Sequence, residues 1–192
     1  MSIIPAEVIP PVYPRRRQVL FGTGFAVAGI AMYFLTLIGM YLEVRHGHRA
    51  TWLTNNNIPL TQPNVQFFTL VMSSVTMQWA VYSISRDDKS HAYWAIGITL
   101  LMGLAFLNQT TFLYKMVGLP LHSQEGPLFY AITGSHFAMV GAACIFLLLM
   151  GLRTVGGSFS SRYPDGLSAA ALFWHATVAI YSVIWIGVYV AK

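Results

Sequence analysis

VLFGTGFAVAGIAMYFLTLIGMYL, Val19 to Leu42, runs without a single Asp, Glu, Lys or Arg. As an α-helix rising about 1.5 Å per residue, such a run exceeds the roughly 30 Å hydrocarbon core of a bilayer. Four more stretches share the property: Val65 to Ser85, Ala92 to Tyr114, Pro127 to Leu152 and Leu167 to Ala191. In lipid every backbone amide must be bonded within the protein, and a helix does this segment by segment. A barrel would need alternating runs of about 10 residues, which are absent. The expectation is an all-α integral membrane protein, a bundle of five transmembrane helices with the amino terminus cytoplasmic. Residues 1–192 then form a single transmembrane domain with spans of about 19–42, 65–85, 92–114, 127–152 and 167–191, and residues 1–18 are its cytoplasmic amino-terminal segment.

Composition agrees. Only 9% of residues are charged, 56% are hydrophobic and the mean hydropathy is +0.59, whereas a soluble domain carries about 25% charged residues. The net charge of +5 is not that of a nucleic-acid binder, because Arg15, Arg16 and Arg17 sit together just before the first span, where a membrane protein holds its cytoplasmic anchor. Ala26-Val27-Ala28 resembles a signal-peptide cleavage site, but the apolar run continues to Leu42, too long for a signal core. With the amino terminus inside, Arg15, Arg16, Arg17, Arg86, Lys89, Arg153 and Arg162 fall on the cytoplasmic side and Arg45, Arg49, Lys115 and Lys192 outside, the bias that sets orientation. Asn55-Asn56-Asn57 with Pro59, Asp87-Asp88, Gly118 with Pro120, and Gly156-Gly157 with Pro164-Asp165-Gly166 mark the loops. Pro63 or Asn64 is expected to start the second helix. Tyr41, Tyr82, Tyr93, Trp94, Tyr114 and Tyr189 lie near span ends, which suits aromatic belts and equally suits packing between helices.

The chemistry is sparse. No carboxylate, lysine or arginine lies in any span, and these are the groups that pumps and proton relays usually place at membrane depth; conduction by water chains or backbone carbonyls is the alternative. No catalytic, cofactor-binding or metal-ligating residue is assigned. His136 and His175 are the two histidines inside spans, and a bis-histidine haem anchor is the sharp alternative. Their expected depths differ by roughly 9 Å at 1.5 Å per residue, too far to bracket one iron, so polar bonding between helices is the better reading. His46-Gly47-His48 has no third ligand nearby, and His91 and His122 read as solvated flanks. Cys144, alone, builds neither a disulfide nor a thiolate site. Gly22-Thr23-Gly24 lacks the remainder of a dinucleotide fingerprint. Gly134, Ala138 and Ala142 recur every four residues beside Ser135 and Gly141, a small-residue face that lets helices approach closely, with Ala169-Ala170-Ala171 as the candidate partner. A small neutral-solute carrier is a third reading, and the lack of an inverted half-repeat argues against it.

FYAITGSHFAMVGAACIFLLLMGLR, Phe129 to Arg153, resembles the Thr-Gly-x-His helix of cytochrome c oxidase subunit III. ALFWHATVAIYSVIW resembles that family's Trp-His helix, SSVTMQWAVYSI (Ser73 to Ile84) its Ser-Gly-Val-x-x-x-Trp-Ala segment, and Gln109 falls where the third span would carry the family's glutamine. The likeness covers about Pro63 to the end and rests on the motifs' order and spacing. It implies the short, five-helix bacterial form of the family, in a bacterial plasma membrane. It further implies a non-redox accessory subunit of a haem-copper terminal oxidase that supports assembly, phospholipid binding and turnover stability. Haem and copper are expected in the partner catalytic subunits I and II, with structural phospholipid beside this chain and room for a larger respiratory supercomplex. A quinol oxidase or nitric oxide reductase accessory subunit of the same family would read alike. Carried over by position, Trp79, Gln109, Thr133, Gly134, His136, Ala138, Ala142, Trp174 and His175 are the lipid-contact or helix-packing residues. The chain departs from the family's pattern where a buried glutamate is common in the first helix, reading Ala28 or Gly29 there. It carries Met139 for a second histidine, Val81-Tyr82 for His-His, and Val178 near an acidic position.

Overall fold

The computed structural model describes residues 17–49, 52, 53, 58–123, 125–156 and 165–191. The expectations for Arg15, Arg16, the Asn55-Asn56-Asn57 loop, Gly157, Arg162, Pro164 and Lys192 fall outside those residues. Five helices follow one another: α1 (Gln18–Gly47), α2 (Thr61–Ser85), α3 (Lys89–Val117), α4 (Gly126–Val155) and α5 (Asp165–Ile184), the last continuing as a π-helical end, Trp185–Val190. No strand occurs among the described residues. All five helices are long and apolar enough to cross a membrane, and the chain is a multi-pass membrane protein.

Most helices outrun the charge-free stretches. α1 continues through Glu43 and Arg45, α3 begins at Lys89, and α4 takes in Arg153. A charged side chain ends an apolar run without ending the backbone ladder, since its stem can lie along apolar surface while its head reaches water. α2 begins at Thr61, ahead of Pro63 and Asn64. Pro63 sits in the first turn, where an N–H would have no intrahelical acceptor anyway. Asn64 does not cap the helix through its side chain; its Oδ1 accepts from Trp185 Nε1 at 2.8 Å.

The tight α2–α3 connection is closed by Asp88, whose carboxylate accepts from the His91 amide at 3.2 Å and contacts the His91 ring at 2.6 Å. The amide bond first, and the ring beside it, hold this exposed carboxyl below its ordinary range. α3 ends on Gly118 at φ +52°, with its N–H on the Tyr114 carbonyl at 3.3 Å. That left-handed conformation closes a helix and is one glycine adopts without Cβ strain. Where α4 starts, Glu125 reaches across to the segment after α1 and accepts from the Leu53 amide at 3.0 Å. The α1–α2 and α3–α4 connections therefore share one end of the bundle. At the opposite end, Tyr93 near the start of α3 donates to the Thr154 carbonyl of α4 at 3.3 Å.

α4 and α5 form the middle of the bundle and pack on each other; α2 and α3 pair on one side, and α1 lies against α4 and α5 on the other. One apolar core gathers Leu70, Met77, Phe106, Leu147 and Trp174. A second gathers Phe34, Leu113, Phe129, Ile132 and Tyr189. α1 is the least enclosed helix, burying Thr23, Phe34, Ile38 and Tyr41 while Phe21, Phe25, Met32 and Leu35 face outward. Tyr41 and Tyr189 belong to the core rather than to an aromatic belt, each 1% exposed. Tyr82, Tyr93 and Trp94 do lie outward.

Candidate functional site

Lipid tails are as apolar as leucine, so close packing and interhelical hydrogen bonds must hold such a bundle together. Two groups of polar side chains supply those bonds. The first lies between α2, α3, α4 and α5. Gln66, 1% exposed, donates through Nε2 to Thr110 Oγ1 at 3.0 Å and accepts at Oε1 from the Tyr181 hydroxyl at 2.7 Å. Three helices thus meet on one neutral amide. Beside it the Tyr114 hydroxyl donates to Thr133 Oγ1 at 2.9 Å, and His136 Nε2 lies 3.0 Å from the Thr177 carbonyl of α5. A carbonyl only accepts, so the proton is on Nε2. Phe34, Phe106 and Tyr181 surround the imidazole with ring centroids 5.1 to 6.1 Å away.

The second group joins α2 to α5. Trp174, 1% exposed, donates from Nε1 to Ser73 Oγ at 3.0 Å. His175, one residue on, points to the outer side, with Nδ1 2.6 Å from Ser74 Oγ and Nε2 3.3 Å from Gln78 Oε1. Ser74, Gln78 and His175 line an open groove with Val75, Trp79 and Tyr82. Arg86 lies over the Tyr82 ring at 4.6 Å, and His91, paired with Asp88, stands 5.9 Å from Trp79, so the groove mixes polar and apolar walls and has Arg86 near its Tyr82 end.

The structure divides the sequence candidates accordingly. Thr133, His136 and Trp174 are buried in helix contacts, while Trp79 and His175 face the groove. Gln109 is half-buried, and its Oε1 has no hydrogen-bond partner among the described residues. The small-residue face of α4 is not packed within the chain. Ala138 and Ala142 are exposed and Gly134 is only half-buried, whereas Ala169, Ala170 and Ala171 are buried, so the two patches do not meet within the chain. Ser135, beside that face, instead bonds the Tyr33 hydroxyl of α1 at 2.8 Å. Close approach is achieved at Gly103 of α3, which the sequence reading missed. A Cβ there would lie 2.6 Å from Cys144 Sγ and 2.7 Å from Trp174 Cη2. The available signal was the series Ala95, Thr99 and Gly103, small residues at intervals of four on one helix face.

His136 and His175 do not share a site. They line different cavities, and the one beside His136 offers only about 10 Å³ to the centre of a water-sized sphere. That space cannot take a haem, so the geometry gives the bis-histidine reading no support. His46 and His122 are exposed, and so is His48, whose Nδ1 lies 2.9 Å from the Val44 carbonyl. Among the described residues no three His, Cys, Asp or Glu converge as a metal site.

A family model described as Cytochrome c oxidase subunit III matches residues 22–192. The chain belongs to the cytochrome c oxidase subunit III family. Its match to cytochrome c oxidase subunit 3 of Sus scrofa is 31% identical over 132 residues, covering 68% of the chain and 51% of the relative. The subunit 3 of Bos taurus is 30% identical with the same coverage, and that of Spodoptera frugiperda is 27% identical with 90% of the relative covered. The chain thus spans about half the length of the mammalian subunit III relatives it matches. Within this subunit III family member the Thr-Gly-x-His and Trp-His motifs occupy defined mechanical roles. Thr133 and His136 tie α4 to α3 and α5, and Trp174 and His175 tie α5 to α2. Of the positions that depart from the family's pattern, Ala28 and Gly29 are exposed on α1, Met139 and Val178 are buried, and Tyr82 lines the groove of His175.

Proposed function

We propose that this chain is a non-redox accessory subunit III of a haem-copper terminal oxidase. It binds beside the catalytic subunits I and II, alone or within a larger respiratory assembly, and supports assembly and turnover stability. The observation that carries the reading is the use made of the family's own motifs. Both membrane-embedded histidines and the motif tryptophan are engaged in helix-to-helix bonds rather than turned toward a shared centre. Haem and copper then belong to the partner subunits. The outward apolar faces of α1 and α4 are available to a catalytic subunit or to lipid. The groove of Val75, Trp79, Tyr82 and His175 has the shape and polarity for a phospholipid, with an acyl chain along it and the headgroup toward Arg86. The same reading puts the chain in a bacterial plasma membrane with its amino terminus in the cytoplasm, an orientation that the excess of basic residues on that side supports.

Mild solubilisation of the membrane followed by capture of the tagged chain tests the reading. A haem-copper catalytic subunit should co-purify in stoichiometric amount. Capture of the intact chain with no such subunit would refute it.

A further inference from the structure

The small cavity beside His136 is walled by polar groups, most of whose protons have an identified acceptor. Its lining includes Gln66, Thr110, Thr133, His136, Tyr181 and Tyr189. His136 is 1% exposed; its Nε2–H is spent on Thr177, and Nδ1 is fully buried with no hydrogen-bond partner among the described residues. With the proton on Nε2, Nδ1 is an acceptor that needs a donor. None of the neighbouring hydroxyls, Tyr189 included, bonds Nδ1, and most are already spent elsewhere. Thr110 donates to the Phe106 carbonyl, Thr133 to the Phe129 carbonyl, and Tyr181 to Gln66 Oε1. Tyr114, behind Thr133, donates to it. Leaving a buried acceptor unpaired costs about 1–3 kcal/mol, and the penalty is set by a surrounding medium that contains no bulk water.

We propose that this cavity is a binding site for one ordered water molecule, which donates a hydrogen bond to His136 Nδ1. The space, about 10 Å³ for the centre of a water-sized sphere, matches the roughly 10–15 Å³ that a single water needs by the same measure. Such a water also requires two to four polar partners. Gln66 Nε2 spends one of its two protons on Thr110, leaving the second for the water's oxygen. The lone pairs of the Thr110 and Thr133 hydroxyls are on the same wall. The water completes a neutral network that links α2, α3, α4 and α5, and it fixes the histidine in one tautomer without any charge in the membrane.

The test is a density map of the complex isolated from its membrane, at a resolution where other buried waters of the same complex are visible. One peak within about 3.2 Å of His136 Nδ1 is expected. A protein donor closing on Nδ1, or no peak there, would overturn the site. His136→Gln provides the second arm: it retains a donor for Thr177 but has no acceptor at the Nδ1 position. With α4 and α5 in unchanged register, loss of the peak supports the assignment, and its persistence would show that other groups hold the water.

Discussion

Gly103→Ala is the most informative single perturbation of the bundle. The added methyl would stand 2.6 Å from Cys144 Sγ and 2.7 Å from Trp174 Cη2, whereas non-bonded heavy atoms settle at about 3.5–4.0 Å. An overlap near 1 Å on two sides must be relieved by movement. Trp174 cannot swing freely, because it is 1% exposed and anchored through Nε1 to Ser73. Overpacking of this kind costs about 1–3 kcal/mol, and the anchored Trp174 together with contact on a second side puts the site at the upper end. Replacing glycine in a helix returns about 0.8–1.0 kcal/mol, so the net loss is about 2 kcal/mol. Gly97 lies on the same helix with nothing within 4 Å of its missing Cβ, and Gly97→Ala collects the helix gain without the clash. The difference between the two variants isolates the overpacking at about 3 kcal/mol. Unfolding of the full chain in bicelles by a denaturing detergent measures it, and Gly103→Ala combined with Cys144→Ala should recover part of the loss. Equal stability of Gly103→Ala and Gly97→Ala would refute the three-helix contact.

Gln66→Leu should destabilise the same preparation by about 1–3 kcal/mol, because it strips Thr110 and Tyr181 of a shared partner; the same detergent titration checks this. His136→Ala should shorten the turnover lifetime of the assembled oxidase, or lower its yield, while initial oxygen consumption stays near normal; an oxygen electrode trace over successive turnovers separates the two. Glu125 is 6% exposed. Burial raises its pKa, but the bonds from the Leu53 amide, its own amide and Ser123 outweigh burial and hold it below its ordinary 4.5. A carboxylate with a lowered folded pKa stabilises fully above its unfolded value and loses that contribution as the pH falls through the folded one. Thermal melting from pH 6 to pH 3 should therefore fall more steeply for the natural chain than for Glu125→Gln.

The five helices were legible because charge is so costly in hydrocarbon that its absence outlines each span. Which face of a helix meets which neighbour was not legible, for the same reason in reverse. A face toward lipid and a face toward another helix are both apolar, so periodicity carries little information about packing. Ala138 and Ala142 have the spacing of an interface yet are exposed, while Ala95, Thr99 and Gly103, with the same spacing, are buried, and Gly103 is where α3 comes closest to Cys144 and Trp174. Tyr41 and Tyr189 sit at depths suited to an aromatic belt, and only the fold shows them buried. The histidines were found from sequence because a polar ring inside an apolar span stands out. Their partners, the Thr177 carbonyl and Ser74, were not, since a backbone acceptor has no sequence signature.

The central claim is that this chain braces an oxidase without carrying its redox centres. Removing the chain from the purified complex, then measuring haem and copper per catalytic subunit together with the initial rate and the turnover lifetime, tests it most directly. Unchanged haem and copper, a nearly unchanged initial rate and a shortened lifetime are predicted. Loss of haem or copper in proportion to the chain removed would contradict the account.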